Sequence, residues 1–226
     1  MERMKCLHCI YKPVASKVLN TKELDEFDKY CVLTDFTKGE MIIKQKALSS
    51  SVAYICNGLV KIHTTIQKRE KTLRIVKAPS YLCLPNNFCE SYNHFSATAI
   101  ENSKVCFLDL TVFKKIIVEN GDFAYQIILN LSQNELYNLH TLIDNMQKHS
   151  TGRIAKIIIY FARNIYNNLS FYMPIGRQDI ADLADTTREN VSRFLSELHS
   201  ERIINIEGKK IEILNETLLY QISDKG

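Results

Sequence analysis

Hydrophobic and polar positions alternate in short runs over the first half of the chain. These runs consist of β-branched and other apolar residues, and the clearest are Met41–Ile43, Val52–Cys56, Leu59–His63, Leu73–Val76 and Val105–Leu110. Turn-forming segments such as Thr37–Gly39, Asn57-Gly58 and Pro85–Asn87 separate them. Short strands that recur between closely spaced turns are typical of an antiparallel sandwich or barrel. The pattern therefore predicts a β-domain from about Val32 to Leu110.

At Thr111 the pattern becomes helical, and it continues with one Gly, Gly121, and no Pro to about His149. Within this segment apolar residues recur at spacings of three and four, as in the a/d seam of a coiled coil, at Leu136, Leu139, Ile143 and Met146. Such a seam suits pairing with the same helix of a second chain. Because the heptad run is short, packing of the helix on the β-domain is an open alternative.

A different order of elements is predicted after Ser150. Thr151 is a candidate N-cap for a helix with an apolar face, and Met173–Ile175 is predicted to be extended. Two brief helices are predicted at Arg177–Ala184 and Arg188–Ser200, and a hairpin over Ile203–Leu214 around Glu207-Gly208-Lys209. Helix, strand, two short helices and a hairpin in this order predict a winged helix-turn-helix.

The second short helix carries the residues that suit nucleic-acid recognition. Thr187 is placed to cap it, and its outward face presents Arg188, Glu189, Ser192 and Arg193. Arginine can donate two hydrogen bonds to N7 and O6 of guanine, glutamate can accept one from N4 of cytosine, and serine can serve either base. The face therefore predicts contacts with base edges in a major groove.

Two further cations are placed to meet backbone phosphates. They are Arg177, at the start of the first short helix, and Lys209, in the hairpin turn. The charge pattern alone would also suit a solvated amphipathic helix in which Glu189 pairs with Arg193 at i and i+4. The order of the surrounding elements favours DNA binding.

Composition sets wider bounds. The chain has 226 residues, of which 46% are hydrophobic and 24% charged, as in a soluble globular protein of about two domains. No run approaches the ~20 apolar residues of a transmembrane helix, and the N-terminus lacks the apolar core of a signal peptide. Seven Cys without an export signal indicate reduced thiols, so we expect a cytoplasmic protein without a membrane partner. The net charge of +4 is too small to indicate a partner.

Two other classes of function are less consistent with the sequence. An enzyme is not expected, because the sequence has no phosphate-binding loop, no nucleophile elbow and no paired metal-ligand motif, and its six His are scattered. A ligand-binding adaptor whose C-terminal domain contacts protein instead of DNA is the alternative. A salt-dependent DNA affinity would separate the two, because phosphate contacts weaken steeply with salt.

The motif residues also resemble a known family. Gly176–Ala181 and Thr187–Leu195 closely resemble the helix-turn-helix of the CRP/FNR superfamily, the cyclic-AMP receptor protein and fumarate-nitrate regulator family. Thr151–Ala155 resembles the opening of that family's DNA-binding domain, and Glu207–Lys209 resembles its wing. The resemblance extends over the whole chain and implies an α+β fold. Its parts would be an N-terminal antiparallel β-roll, a cyclic-nucleotide-binding-like jelly roll, at residues 1–120, a dimerisation helix at 121–149, and a C-terminal winged helix-turn-helix at 150–226.

The resemblance also implies how such a protein would work. Arg188, Glu189 and Arg193 fall on the family's base-reading positions, and Ser192 lies on the same face. A homodimer would place two reading helices in successive major grooves, ~34 Å apart, on a palindromic operator in double-stranded DNA. A signal at the β-roll would shift the long helix and re-aim these helices. RNA polymerase is the expected partner if the protein is an activator.

The signal itself is not identified by the sequence. Cyclic-nucleotide-binding relatives use a Gly-rich turn and an Arg, where this chain has Ala78–Leu84 and His94–Ala97, which argues against cyclic AMP. Cys6, Cys9 and Cys106 resemble cluster-ligand positions of the fumarate-nitrate regulator branch, but the further Cys expected at position 15 is Ala15. Four thiolates normally hold an iron–sulfur cluster, so one ligand is missing unless His8, Cys31 or another group replaces it. A zinc site or a thiol switch would use the same Cys pair, and the other Cys are expected to be structural.

Overall fold

The structure, a computed structural model, describes residues Tyr11–Lys225. These residues form two compact units. The first consists of the described residues up to Glu70 and of Arg74–Leu136. The second consists of Lys71–Leu73 and of the residues from Tyr137 onwards.

The first unit is built around a β-roll. After a short 3₁₀ turn at Val14–Val18 its helices are α1 (Thr21–Tyr30), α2 (Asn86–Cys89), α3 (Leu110–Glu119) and the first part of α4 (Gly121–Gln147). Its strands are β1 (Cys31–Phe36), β2 (Met41–Ile43), β3 (Ser51–Asn57), β4 (Leu59–Ile66), β5 (Arg69–Lys77), β6 (Ser80–Leu82), β7 (Ser96–Ala99) and β8 (Ser103–Asp109). The short apolar runs of the sequence thus form strands as predicted.

Two four-stranded sheets make up the roll. The first has the order β1-β8-β3-β6 and is antiparallel throughout, and the second has the order β2-β7-β4-β5. Buried aliphatic residues of both sheets, including Ile55, Val60 and Val105, form one apolar cluster. Gly58 lies where the chain passes from β3 in one sheet to β4 in the other. Its φ is +102°, and a Cβ there would lie 2.3 Å from Ser103 Oγ, so only glycine fits this turn.

A second apolar cluster joins the outer helices of the first unit to the first sheet. The ring centroids of Phe27 and Phe123 are 5.8 Å apart, and those of Phe113 and Phe123 are 5.6 Å apart, all in edge-to-face contacts. These three side chains connect α1, α3 and α4. Edge-to-face aromatic contacts of this kind stabilise a core beyond the area that they bury.

The helical segment predicted from Thr111 to His149 consists of α3 and α4, which are separated at Asn120. Asn120 leaves the helical conformation between α3 and α4, and its side-chain oxygen accepts a hydrogen bond of 2.9 Å from the N–H of Phe123. Gly121 is therefore the first residue of α4. The break has a physical reason, because Asn competes with the helix by bonding nearby backbone groups.

The second unit is a winged helix-turn-helix, as predicted. After α4 it contains α5 (Ser150–Tyr160), a π-helical turn (Phe161–Tyr166), β9 (Ser170–Tyr172), α6 (Arg177–Leu183), α7 (Arg188–Ser200), β10 (Ile204–Glu207), β11 (Lys210–Ile213) and α8 (Glu216–Lys225). The sheet order is β10-β11-β9. The fold class expected from the sequence is confirmed.

Local details of this unit differ from the sequence prediction. Thr151 is not the N-cap of α5, because the helix begins at Ser150 and His149 occupies the cap position without a side-chain hydrogen bond. The short strand β9 precedes Met173–Ile175 instead of including it. The closing helix α8 was not predicted. Among the described helices, none has an apolar stretch long enough to span a bilayer.

Candidate nucleic-acid interface

The two helices of the helix-turn-helix are held by small and aliphatic side chains. On α6 and just after it Ile180, Ala181 and Ala184 are buried, and on α7 Val191 and Leu195 are buried. The turn between the helices is fixed by its backbone, because the N–H of Thr186 donates to the carbonyl of Ala181 at 2.9 Å. The apolar positions seen in the sequence therefore set the angle between the helices.

Both helices begin at caps that the local sequence supplies. Thr187 Oγ1 accepts a hydrogen bond of 3.2 Å from the N–H of Asn190, which confirms Thr187 as the N-cap of α7. At α6 the N–H of Gly176 donates to the Asp179 carboxylate at 2.9 Å. These caps place Arg177 and Arg188 at the first helical positions of α6 and α7.

The four side chains predicted to read bases lie on α7. Arg188, Glu189 and Arg193 are exposed and Ser192 is half-buried. Glu189 forms no ion pair with Arg193 within the described part of the chain. Instead, Arg193 Nη2 donates to Asn190 Oδ1 at 2.8 Å, and Arg193 Nε lies 3.7 Å from Glu197 Oε1.

Three predicted cations meet around a single notch of the second unit. The notch has a volume of about 380 Å³, and its lining includes Arg177 of α6, Arg188 of α7 and Lys209 of the wing turn. Apolar side chains such as Leu195 and Ile211 also line it. Within residues 11–225 these three cationic side chains have no hydrogen-bond or ion-pair partner. Unpaired positive charges that converge on one concave surface favour an anion such as a backbone phosphate.

Arg153 of α5 is a structural residue of this unit to which sequence reasoning gave no role. Its guanidinium donates to the carbonyls of Ala184 at 2.7 Å and Asp185 at 3.2 Å in the turn before α7. It also donates to the carbonyls of Asn145, at 3.3 Å, and Lys148 at the end of α4. One side chain thus connects the end of the long helix with the helix-turn-helix. Its position on an amphipathic helix gave no sign of these distant partners.

The seam residues predicted on α4 are exposed in the single chain. The exposed fractions are 57% for Leu136, 46% for Leu139, 46% for Ile143 and 78% for Met146. Large apolar side chains that are exposed side by side commonly mark a surface that a partner covers. The off-seam Leu142 is exposed to 55% as well.

Two sequence families match the chain. Residues 33–120 match the cyclic nucleotide-binding domain family, and residues 152–222 match the Crp-like helix-turn-helix domain family. The first match lies on the β-roll and the second on the winged helix-turn-helix. The chain belongs to the CRP/FNR family of transcription regulators. It is accordingly a DNA-binding transcription regulator and not an enzyme.

Curated relatives in the CRP/FNR family are similar over nearly the whole chain. An anaerobic regulatory protein of Pasteurella multocida is 24% identical over 211 residues, which cover 91% of this chain and 77% of the relative. The transcriptional activator protein Anr of Pseudomonas protegens is 22% identical over 217 residues, which cover 93% of this chain and 88% of the relative.

Solved structures agree in fold. FixK2 from Bradyrhizobium japonicum matches with a TM-score of 0.75 at 18% identity, over 85% of this chain and 96% of that one. A crp/fnr-family transcriptional regulator from Eubacterium rectale matches with a TM-score of 0.80 at 16% identity, over 95% and 99% of the two chains. At these identities the likeness is one of fold.

The β-roll of this CRP/FNR-family chain contains a partly open cavity of about 270 Å³. The amides of Asn86 and Asn87 line it, and Asn87 Nδ2 donates to Ser49 Oγ at 3.0 Å and to the Ser51 carbonyl at 2.9 Å. Cys83, also in the lining, has a φ of +50°. The lining given by the described residues includes Lys44 but neither arginine nor glycine. A cyclic phosphate is bound by closely approaching backbone donors and a guanidinium, so these residues do not fit one.

Of the three cysteines that could bind a cluster, the structure describes one. Cys6 and Cys9 lie outside the described residues. Cys106 lies half-buried on β8 and, together with Cys31 and Cys56, lines a small apolar cavity of about 60 Å³. Within residues 11–225 no three His, Cys, Asp or Glu side chains are placed to hold a metal ion. The described part therefore supplies Cys106 as a candidate ligand, and any cluster or zinc site would also depend on Cys6 and Cys9.

Two other cysteines, Cys83 and Cys89, differ in how far they are exposed. Burial raises the pKa of Cys83 to about 12, although Arg74 opposes the shift. The thiol of Cys83 is thus protonated at neutral pH, in keeping with a structural role. Cys89 is exposed.

Proposed function

We propose that the chain binds a palindromic operator as a homodimer, with α7 of each protomer in the major groove. The observation that carries this proposal is the exposed face of α7, with Arg188, Glu189, Ser192 and Arg193, on a helix fixed by the Thr187 cap. Arginine, glutamate and serine on such a face suit hydrogen bonding to guanine and cytosine edges. A dimer would read two half-sites about one helical turn apart.

The cationic notch supports a role for the wing in positioning the DNA. Arg177 and Lys209 would contact backbone phosphates beside the groove that α7 enters, because both side chains line the notch and neither has a partner among the described residues. Phosphate contacts fix the register of a protein on DNA, whereas base contacts specify the sequence. We therefore assign Arg177 and Lys209 to positioning and Arg193 to sequence recognition.

We propose a division of labour along the chain. Residues 1–120 would sense a signal, residues 121–149 would hold the dimer through Leu136, Leu139, Ile143 and Met146, and residues 150–226 would bind DNA in the cytoplasm. If the protein activates transcription, as the name of the Anr relative states for that protein, RNA polymerase is its further partner. The adaptor alternative is not favoured, because the helix-turn-helix belongs to a family of transcription regulators.

The signal is a separate question that purification without air addresses. Analysis of iron and acid-labile sulfide, with mass spectrometry of bound small molecules, would test an iron–sulfur cluster at Cys6, Cys9 and Cys106. A colourless protein without iron would contradict the cluster.

The DNA-binding proposal is tested with duplexes selected from a random-sequence library by the full chain. Replacing Arg193 by Ala should weaken binding by about 1–3 kcal/mol and relax one base position in each half-site. Lys209→Gln should weaken all duplexes alike and reduce the slope of log affinity against log salt by about 1 per site. Mobility-shift titrations over a range of salt measure both effects. Binding that ignores salt and tolerates Arg193→Ala would contradict the proposal.

A further inference from the structure

The side chain of Asn190 connects the turn of the helix-turn-helix with the reading face of α7. Its Nδ2 donates a hydrogen bond of 3.0 Å to Thr186 Oγ1, and its Oδ1 accepts one of 2.8 Å from Arg193 Nη2. Asn190 and Thr186 are both half-buried, whereas the side chain of Arg193 is 71% exposed. A sheltered amide thus contacts an exposed cation.

The orientation of this amide follows from its two partners. If the amide were flipped, its NH₂ group would face the guanidinium, and two donors would oppose each other. Thr186 is itself anchored, because its backbone N–H donates to the buried Ala181 carbonyl at 2.9 Å. Consecutive hydrogen bonds therefore link α6 to Arg193 through Thr186 and Asn190.

The contacts leave one edge of the Arg193 guanidinium available. Nη2, which bonds Asn190, and Nε, which lies 3.7 Å from Glu197, belong to the same edge of the planar group. Nη1 has no partner among the described residues, and together with Nη2 it forms the end of the group that can donate two parallel hydrogen bonds to N7 and O6 of guanine. Arg188, in contrast, has no side-chain partner within the described residues and must be ordered when DNA binds.

We propose that Asn190 is a positioning residue that holds the Arg193 guanidinium ready to read a base. This inference rests on the proposed function and deepens it, because it adds a residue that acts on sequence discrimination through another side chain. Asn190 lowers the conformational entropy that Arg193 loses on binding. Ordering a long side chain in advance improves affinity for the matching base and also sharpens its discrimination from others.

The test compares Asn190→Ala with the unchanged full chain on duplexes selected by the full chain and on their single-base variants. We expect affinity for the selected duplex to fall about three- to tenfold, the range set by immobilising one long side chain. The loss should be confined to the base pair at which Arg193→Ala also loses discrimination. Ser196→Ala, on an exposed position of the same helix, is the matched control and should leave discrimination unchanged.

A double-mutant cycle separates positioning from mere helix stabilisation. In the Arg193→Ala background, Asn190→Ala should have no further effect on affinity or discrimination. Thr186→Val, which leaves Asn190 and Arg193 in place, should produce a smaller loss at the same base pair and serves as a second variant if Asn190→Ala unfolds. An equal loss from Asn190→Ala in both backgrounds would overturn the inference while leaving DNA binding intact. If the unchanged chain selects no sequence, the proposed function itself fails, and the inference with it.

Discussion

Arg188 at the first position of α7 is placed against the electrostatic preference of a helix. The N-terminus of a helix carries a partial positive charge, which favours Glu189 in the first turn and disfavours an arginine there. The described residues supply no counter-charge to Arg188. An anion outside the protein would relieve this local cost, which agrees with a phosphate or base contact at this residue.

Thr187 offers a test at the same helix end. Replacing Thr187 by Ala removes the acceptor of the Asn190 N–H, and the free energy of unfolding should fall by about 0.5–2 kcal/mol. Thermal or urea unfolding of the full chain measures the change. Thr187→Ser keeps the hydroxyl and should retain most of the stability, whereas an equal loss in both variants would show that the cap hydrogen bond is not the cause.

At the residue scale, the sequence predicts a contact correctly where that contact depends only on neighbouring residues. The cap at Thr187 follows from residue type and position, so it could be predicted. The role of Asn190 could not, because its contacts with Thr186 and Arg193 depend on which rotamers pack together. Arg153 was missed for a related reason, since its acceptors are main-chain carbonyls, which no residue type marks.

At the scale of elements, the joint between α4 and α5 is fixed mainly by polar contacts. Arg153 donates to carbonyls at the end of α4, and Asp144 forms ion pairs with Lys148 at 3.4 Å and with Lys156 of α5. The guanidinium thereby satisfies carbonyl groups at a helix end that have no partner within the helix. The joint makes the direction of α5 depend on the end of α4.

Arg153→Lys should destabilise this joint strongly. An ammonium offers three donors at one nitrogen and cannot reach carbonyls on both α4 and the helix-turn-helix turn. Since hydrogen bonds to charged groups are each worth about 1.5–3 kcal/mol and do not add fully, we expect a loss of roughly 2–4 kcal/mol in chemical unfolding. The matched control is Arg163→Lys at the exposed ion pair with Glu216, where a change below about 1 kcal/mol is expected. Equal losses in the two variants would argue against the carbonyl contacts.

Asp144 should make the joint sensitive to acid. Burial opposes the shift, but hydrogen bonds and charges from Lys156 and Lys148 hold the pKa of Asp144 below its ordinary value. A carboxylate with a lowered pKa in the folded state stabilises above its unfolded pKa of about 3.9 and loses that contribution as pH falls through the folded pKa. Unfolding free energies at pH 7 and pH 3 should therefore differ less for Asp144→Asn than for the unchanged chain. An identical pH dependence would exclude this contribution.

The break between α3 and α4 shows what periodicity misses among the elements. The apolar pattern pauses at Glu119–Asp122, and the family resemblance implies that the long helix begins at residue 121, but the periodicity does not show how the backbone turns there. The decisive interactions are single hydrogen bonds of Asn120 to the Phe123 N–H and to Glu23 of α1, at 3.0 Å. Strand positions, in contrast, were predictable because each apolar run is bounded by its own turn residues.

At the scale of the whole molecule, the order of elements could be predicted but the signal could not. Strands, a long helix and a winged helix-turn-helix follow from patterns that each span many residues. A ligand pocket depends on a few side chains, and the described lining of the β-roll cavity includes neither the arginine nor the glycine that suits a cyclic phosphate. The proposed pairing of two chains rests on the exposed seam of α4.

Ile143→Lys tests that pairing. A charge in an apolar seam cannot be buried without a partner, so the variant should be monomeric and should bind selected DNA weakly. Light scattering measures the oligomeric state, and mobility shifts measure the binding. Leu142→Lys changes a neighbouring exposed residue off the seam and should leave the oligomeric state unchanged. A dimeric Ile143→Lys protein would place the interface elsewhere.

The reactivity of the Cys83 thiol offers a way to detect a molecule that binds in the β-roll. With a pKa of about 12, little of the Cys83 thiol is the reactive thiolate at pH 8. The exposed Cys89, a few residues away, reports the intrinsic rate of the reagent. The ratio of the two labelling rates, read by peptide mass spectrometry, thus reflects both the raised pKa and the partial burial of Cys83, and a molecule that covers this part of the roll should slow the labelling of Cys83 more than that of Cys89.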